Sequence, residues 1–258
     1  MIATGRFLAT CRSAAMALSL SALATAGAGL AWPAAAQDYA TVVAAPDRSD
    51  ADRQTDKRRD PVKLLEFIGV RAGMKVLDVG AGGGYSTELL ARAVGPGGTV
   101  YAQDSQDVAE GANVKARYGA RAETPAMKSV VRTIRPYDDP AAPEAKDLDL
   151  VTFLFMYHDT TYMEVDRAAM NRKLFAALKP GGHLVIADHS AKEGAGTTVG
   201  KTLHRIEESA LRREVEAAGF RLVAAGDFLR HAEDPRDGII FRSPVPVDEF
   251  VLKFEKPR

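Results

Sequence analysis

Cysteine is nearly missing from this 258-residue chain: Cys11 stands alone, which excludes an intrachain disulfide framework. Tryptophan is as scarce, with Trp32 its single instance. Charge of one sign is missing too, because 34 lysines and arginines face 34 aspartates and glutamates. No global basic field therefore argues for nucleic acid, and no internal repeat or nucleic-acid motif is visible. The length suffices for one α/β domain with extensions and a substantial core. A cofactor and a small substrate are the expected partners.

Charge is also thin at the start of the chain, where Arg6 and Arg12 are the sole charges before Asp38. An Ala/Leu/Ser/Gly run from Ser13 to Leu30 follows, then Trp32-Pro33 and Ala34-Ala35-Ala36. A positive n-region, an apolar h-region and a small-residue cleavage site make residues 1–36 a secretory signal peptide, with cleavage expected after Ala36. The run is short and weakly hydrophobic for an uncleaved anchor, so no stable membrane span is expected after cleavage. Cleavage would remove both Cys11 and Trp32, and would place the mature chain outside the cytoplasm, in a bacterial periplasm. Residues 37–60 are polar and of mixed sign, and composition reads them as a solvated arm or helix. Asp60-Pro61 then pairs an N-cap with a proline at the first helical position.

What is abundant is glycine, concentrated after one apolar run. Val76-Leu77-Asp78-Val79-Gly80-Ala81-Gly82-Gly83-Gly84-Tyr85 reads as a buried strand turning sharply into a helix, its backbone bare where a ligand comes close. Tyr85 occupies the place where a dinucleotide fingerprint requires its third glycine. Further on, Asp149-Leu150-Val151 and Leu178-Lys179-Pro180-Gly181-Gly182-His183-Leu184-Val185-Ile186 keep the same order and intervals. Together these three motifs resemble the class I S-adenosylmethionine-dependent methyltransferases, over roughly Pro61 to the C-terminus. With the signal peptide, the chain resembles a group of exported bacterial methyltransferases. The resemblance implies a Rossmann-like α/β fold, a doubly wound, seven-stranded, mostly parallel sheet with helices on both faces and an antiparallel last strand. It implies S-adenosylmethionine as cofactor, with Gly80, Ala81, Gly82, Gly84 and Tyr85 passing beneath its methionine part. Asp78 would orient that loop or the cofactor's amino group, and the segment before the first strand would fold across the cofactor as a lid.

The remaining elements follow from local signals. A helix spans Tyr85 to Val94, and a second strand runs from Thr99 to Ala102 and ends near Asp104. Asp104 lies 24 residues beyond Gly80, about where doubly wound nucleotide sites put a ribose-binding carboxylate. Val130 to Ile134 is the third strand. Asp138 or Asp139 after it either meets the adenine amino group, as the resemblance implies, or is a turn residue before Pro140. Leu148 to Met156 is a strand buried on both faces. A helix is expected over Met163 to Leu178, a strand over Leu184 to Ala187, a helix over Lys201 to Ala218, and final strands over Arg221 to Phe228 and Phe250 to Phe254.

Ligands of open parallel sheets sit beyond the carboxyl ends of the strands, so Asp78, Asp104, His158 and His189 are expected on one rim. Methyl transfer from a sulfonium needs orientation and exclusion of water, and needs a base where the accepting atom arrives protonated. Tyr157, His158, His189 and His204 are the acceptor-side candidates, imidazole titrating near neutrality. Each also has a plain structural reading, and His204 with Glu208 at i to i+4 is either a surface pair or an oriented base. His158-Asp159 with Asp188-His189 lacks local ligand spacing, and no metal is assigned. The expected reaction is methyl transfer to a small or lipid-like acceptor. A non-catalytic cofactor-binding module and a nicotinamide dehydrogenase are the alternatives.

Overall fold

The computed structural model describes residues 1–3 and 37–258. All but the first three residues of the expected signal peptide therefore lie outside the described residues. Three helices come first: α1 (Tyr39–Val43), α2 (Asp50–Arg59) and α3 (Pro61–Ile68). Asp60 caps α3 by accepting from the Lys63 N–H, with Pro61 at the first helical position. Strand and helix then alternate through β1 (Lys75–Val79), α4 (Tyr85–Val94), β2 (Thr99–Asp104), α5 (Gln106–Glu110), α6 (Ala112–Ala122) and β3 (Val130–Ile134). The second half holds β4 (Leu148–Leu154), α7 (Arg167–Ala177), β5 (Leu178–His189), α8 (Gly200–Leu203), α9 (Glu208–Ala217), β6 (Arg221–Gly226) and β7 (Glu249–Glu255).

The seven strands form one sheet in the order β3-β2-β1-β4-β5-β7-β6. Strands β1 to β5 pair in parallel, and β7 runs antiparallel to both β5 and β6. This is the Rossmann-like arrangement. Successive residues of a strand face opposite layers, so the central strands are mostly apolar on both faces, Asp78 and Thr152 being exceptions that bond each other. Leu77, Val151, Phe153 and Ile186 pack with Met170 and Leu174 of α7 and Leu211 of α9 on one face. Val76, Leu150, Leu154 and Val185 pack with Leu64 and Leu65 of α3 and Leu89 and Leu90 of α4 on the other.

Beyond shifts of one or two residues at strand ends, such as β4 stopping at Leu154 instead of Met156, four elements differ from the sequence expectations, each for a physical reason. The helix expected from Met163 starts at Arg167, capped by the Asp166 side chain, and ends at Ala177. Strand β5 begins at Leu178 rather than Leu184, and Lys179-Pro180-Gly181-Gly182 forms an irregularity inside it instead of a stop. Leu148 pairs with Leu178 and Leu150 already pairs with His183, so the extra residues are looped out. The Gly181 N–H bonds to the Lys256 carbonyl at 2.8 Å, which keeps the detour attached to the sheet. The helix expected over Lys201 to Ala218 is broken at His204, which takes a left-handed conformation. Ile206 then bridges to Ser190 beside the sheet, so it does not lie on a helix face. The cause is Arg205, fully buried, whose guanidinium donates to Asp234, the Ser190 carbonyl and the Gly238 carbonyl. Strand β6 ends at Gly226, where the Phe228 ring crowds the backbone.

Candidate active site

The turn between β1 and α4 is built to expose backbone. Gly80, Gly82 and Gly84 all have positive φ, at 69°, 54° and 82°, a region that L side chains rarely adopt. A Cβ on Gly80 would come within 2.8 Å of the Met156 side chain, so space as well as torsion demands glycine there. The loop is tied to β2. The Gly80 N–H donates to Gln103 Oε1 at 3.3 Å, the Ala81 N–H to the Gln103 carbonyl at 2.9 Å, and the Gly82 N–H to both Asp104 oxygens at 3.0 Å. Arg132 of β3 completes the set, its Nη2 2.6 Å from Asp104 Oδ2 and its guanidinium 3.7 Å over the Tyr118 ring.

A cavity of about 650 Å³ opens against this loop. Its floor is Asp78 and the glycines, its far wall is Leu154, Phe155 and Met156 beyond β4, and its cover is α2. Arg121 of α6 joins these parts. It makes a bidentate pair with Asp52 of α2 at 2.8 and 2.9 Å, donates to the Gly83 carbonyl at 3.0 Å, and pairs with Glu88 of α4. Arg48 likewise grips Asp56 at 2.7 and 2.8 Å, and the Tyr85 hydroxyl donates to Asp56 at 2.7 Å.

Besides exposed Arg117, two charges in the cavity lack an ionic partner of their own. Asp78 is 2% exposed and accepts from the Thr87 hydroxyl at 2.6 Å and the Thr152 hydroxyl at 2.8 Å. Burial pushes its carboxyl up to about 6, against the pull of those two hydroxyls. Arg59, the last residue of α2, has its Nε buried with no hydrogen-bond partner. Its guanidinium lies 4.2 Å over the Phe155 ring, and burial together with Arg58 pushes it down to about 10.

Residues 50–225 match the family model of the methyltransferase domain. The chain belongs to that family. A crystal structure of an S-adenosylmethionine-dependent methyltransferase from Aquifex aeolicus superposes with a TM-score of 0.56 at 22% identity, covering 80% of this chain and 98% of that one. The cyclase SpnF superposes with a TM-score of 0.55 at 18% identity, over 80% of this chain and 81% of its own, so the shared fold hosts more than one chemistry. A protein-L-isoaspartate O-methyltransferase from Aeropyrum pernix is 55% identical over 40 residues. That match covers 16% of this chain and spans 15% of the archaeal enzyme's length.

The cavity of this methyltransferase-family chain suits S-adenosylmethionine in kind. A buried carboxylate and a guanidinium whose buried Nε has no partner complement the ammonium and carboxylate of an amino-acid zwitterion. The bare glycine turn provides close backbone approach.

The methyltransferase departs from the sequence reading at several site residues. Asp104 is fully buried and its oxygens are taken up by the Gly82 N–H and Arg132. In this structure it anchors the loop and presents no free carboxylate to a ribose. Asp138 bonds to no other side chain among the described hydrogen bonds, and neighbouring Asp139 pairs with Arg135 and with Lys173. Neither lines the cavity. Tyr157 lies in the core, donating to Glu214 and accepting from Asn171, both at 2.8 Å, which removes it from the acceptor side.

The histidines gather beyond β4 and β5, outside the cavity lined by Gly82. His158 is 2% exposed and sits in a short 3-10 turn, Tyr157–Thr161. Asp188 takes the His158 N–H at 2.8 Å and faces its Nδ1 at 2.7 Å. Burial alone would lower the His158 imidazole, but Asp188 and Asp159 outweigh it and push it up to about 10. On the far side of the ring, His158 Nε2 is 3.0 Å from Asp159 Oδ1 and 3.3 Å from His204 Nδ1. His189 stands between this cluster and the cavity, its ring 5.4 Å from Phe155 and its Nδ1 2.9 Å from Glu249, which Arg58 of α2 holds at 3.0 Å. The acceptor-side candidates His158 and His204 therefore do not line the cavity of Gly82: Phe155 and His189 intervene. Because the helix breaks at His204, the i to i+4 relation with Glu208 is also gone, and Glu208 pairs with Arg230 instead.

Arg59, Arg121 and Arg132 were not singled out from sequence. Arg59 stands in a run of mixed charge, Arg121 in an unremarkable polar helix and Arg132 on an edge strand. Their roles arise from partners far away in the chain.

Proposed function

We propose that this enzyme holds S-adenosylmethionine between the glycine loop and helix α2, and methylates a small or lipid-like acceptor outside the cytoplasm. One observation carries the cofactor reading: Asp78, buried, and Arg59, half-buried with its Nε buried and unpartnered, line the same cavity as Gly80 and Gly82. Arg59 would take the carboxylate of the methionine end, and Asp78 its ammonium group. When bound, the cofactor supplies a sulfonium methyl group for in-line displacement by an acceptor lone pair. The chain's own part is to orient and to exclude water. Helix α2 covers the cavity, and the apolar wall of Leu154, Phe155 and Met156 favours an acceptor with an apolar body. Balanced overall charge argues against nucleic acid as that acceptor. The signal-peptide pattern of residues 1–36 supports an extracytoplasmic setting, the bacterial periplasm.

The test is calorimetry with S-adenosylmethionine and with its decarboxylated analogue. Replacing Arg59 by Ala removes charge-assisted hydrogen bonds of ~1.5 to 3 kcal/mol, so affinity for the full cofactor should fall roughly ten- to a hundredfold. The analogue should bind wild type and variant alike. Equal affinity of wild type and Arg59→Ala for the intact cofactor would remove the carboxylate assignment. Transfer of labelled methyl groups into a cell-envelope extract then identifies the acceptor fraction, and label appearing solely in nucleic acid would overturn the acceptor class.

A further inference from the structure

The histidine cluster walled off from the cavity has the geometry of a metal centre. Three donor atoms converge: His158 Nε2, Asp159 Oδ1 and His204 Nδ1, separated by 3.0 Å, 3.2 Å and 3.3 Å. Ligands at the corners of a tetrahedron with bonds of ~2.0 Å stand about 3.3 Å apart. Among the described residues, this is the one group of three ligating side chains whose donor atoms all lie within mutual reach. The set differs from the pairing of His158-Asp159 with Asp188-His189 that chain order suggested. Asp188 faces the opposite nitrogen of His158, and His189 Nδ1 points to Glu249.

A second observation comes from behind the ring. Asp188, fully buried, lies 2.7 Å from His158 Nδ1 and accepts the His158 backbone N–H at 2.8 Å. Once the ring gives up a proton to a metal, a carboxylate on the far nitrogen keeps the remaining one on Nδ1 and leaves the Nε2 lone pair for the ion, the usual support for a metal-ligating histidine. That tautomer faces Nε2 toward an acceptor-only carboxylate oxygen and a second imidazole nitrogen. The Tyr162 hydroxyl also donates to Asp159 Oδ1, but the two facing imidazole nitrogens share no donor from it, and a cation satisfies all three atoms.

We propose that His158, Asp159 and His204 bind a divalent first-row transition cation, with Asp188 as the positioning residue. Two imidazoles and one carboxylate select for zinc or its neighbours over magnesium or calcium, and three protein ligands leave a coordination position for water or a ligand. His204 supplies its ligand from the left-handed turn between α8 and Arg205, so the cation would pin this turn to the one that follows β4. The inference stands apart from the cofactor reading and does not use the cavity.

The experiment takes untagged full-length chain, stripped with a chelator and dialysed, and titrates it with zinc chloride by calorimetry and with cobalt(II) by visible absorption. One equivalent should bind, and cobalt should give the intense ligand-field bands of a tetrahedral site. His204→Ala, which removes a half-buried ligand, should abolish those bands, while Asp188→Asn should weaken affinity about 10- to 100-fold. His231→Ala, outside the cluster, should match wild type. Circular dichroism and S-adenosylmethionine calorimetry on each variant establish that it is folded. Wild type without stoichiometric binding, or His204→Ala binding as wild type does, would overturn the site.

Discussion

Asp78 illustrates how a single residue can set stability and function against each other. Its ordinary value as a free carboxyl is 3.8, and burial raises it to about 6 in the folded chain. The sign follows directly. Below pH 4 the group is protonated in folded and unfolded chain alike and contributes nothing. As pH rises from 4 to 6 the unfolded chain releases the proton while the folded one retains it, so stability is lost, and above pH 6 the loss is constant. The two pKa values differ by enough to make that loss ~3 kcal/mol, as an order of magnitude. Asp78→Asn keeps the shape and leaves an oxygen to accept from Thr87 or Thr152. The ligand-free variant should therefore melt higher than wild type at pH 7, the gap closing as pH falls toward 4. Calorimetry should find its affinity for S-adenosylmethionine reduced, since the anion facing the ammonium is gone. Parallel melting curves across pH 4 to 7 would show that the carboxylate carries no such cost. The glycine turn above Asp78 was legible from sequence because torsional demands act locally. The ring of partners around Asp104 was not, because Arg132 reaches it from a strand 28 residues on.

Helix α2 is the element on which the cavity depends, and its sequence gives it almost nothing to bury. Ala51 is its one apolar residue. The Ser49 side chain accepts the Asp52 N–H at 3.1 Å, and acidic residues in the first turn with basic ones in the last suit the helix dipole. Those local terms make a helix but do not dock it. Docking rests on ion pairs: Asp52 with Arg121, Asp56 with Arg48, and Arg58 with Glu249. Arg121→Ala would strand buried Asp52, while Glu88 keeps its pair with Arg92, at a cost of about 3 kcal/mol. Hydrogen exchange should show amides of α2 losing roughly a hundredfold in protection, while β1 and β4 change little. Uniform loss across the sheet, or unchanged protection in α2, would contradict the idea that Arg121 holds this helix down. Mixed charge in residues 47–60 reads equally well as a solvated face, and the partners that decide otherwise lie far along the chain. The same lesson holds at His204. The pattern over Lys201 to Ala218 suits one helix, but Arg205 is drawn inward by Asp234 and two carbonyls, and tertiary contacts override the local preference. Apolar runs gave the strands of the sheet, whereas the bulge in β5 was invisible because Pro-Gly-Gly signals an interruption without saying of what.

At the scale of the whole molecule, the contacts made by Asp38 and Tyr39 bear on where the mature protein starts. Residues 37–258 form a compact unit. Asp38 caps α1 by accepting from the Thr41 N–H and hydroxyl at 3.2 and 2.6 Å, and Tyr39 is already buried, its hydroxyl donating to the Val70 carbonyl at 2.6 Å. Cleavage after Ala36 would leave the α1 cap and the Tyr39 anchor intact. Cleavage three residues later would remove both, and with them the contact of α1 with α3 and α4 that leads into the cover over the cavity. The expected mature chain starts at Gln37 and contains neither cysteine nor tryptophan. Intact-mass and N-terminal measurement on envelope fractions should find that start, with no tryptophan fluorescence in the purified product. A variant with Ala34 and Ala36 replaced by bulky residues should accumulate as the longer precursor, because signal peptidase requires small side chains at those two positions. Full-length chain retaining Trp32 and confined to the cytosol would overturn both the processing and the export. The enzyme would then work where its cofactor is made, and the search for its acceptor would move inside the cell.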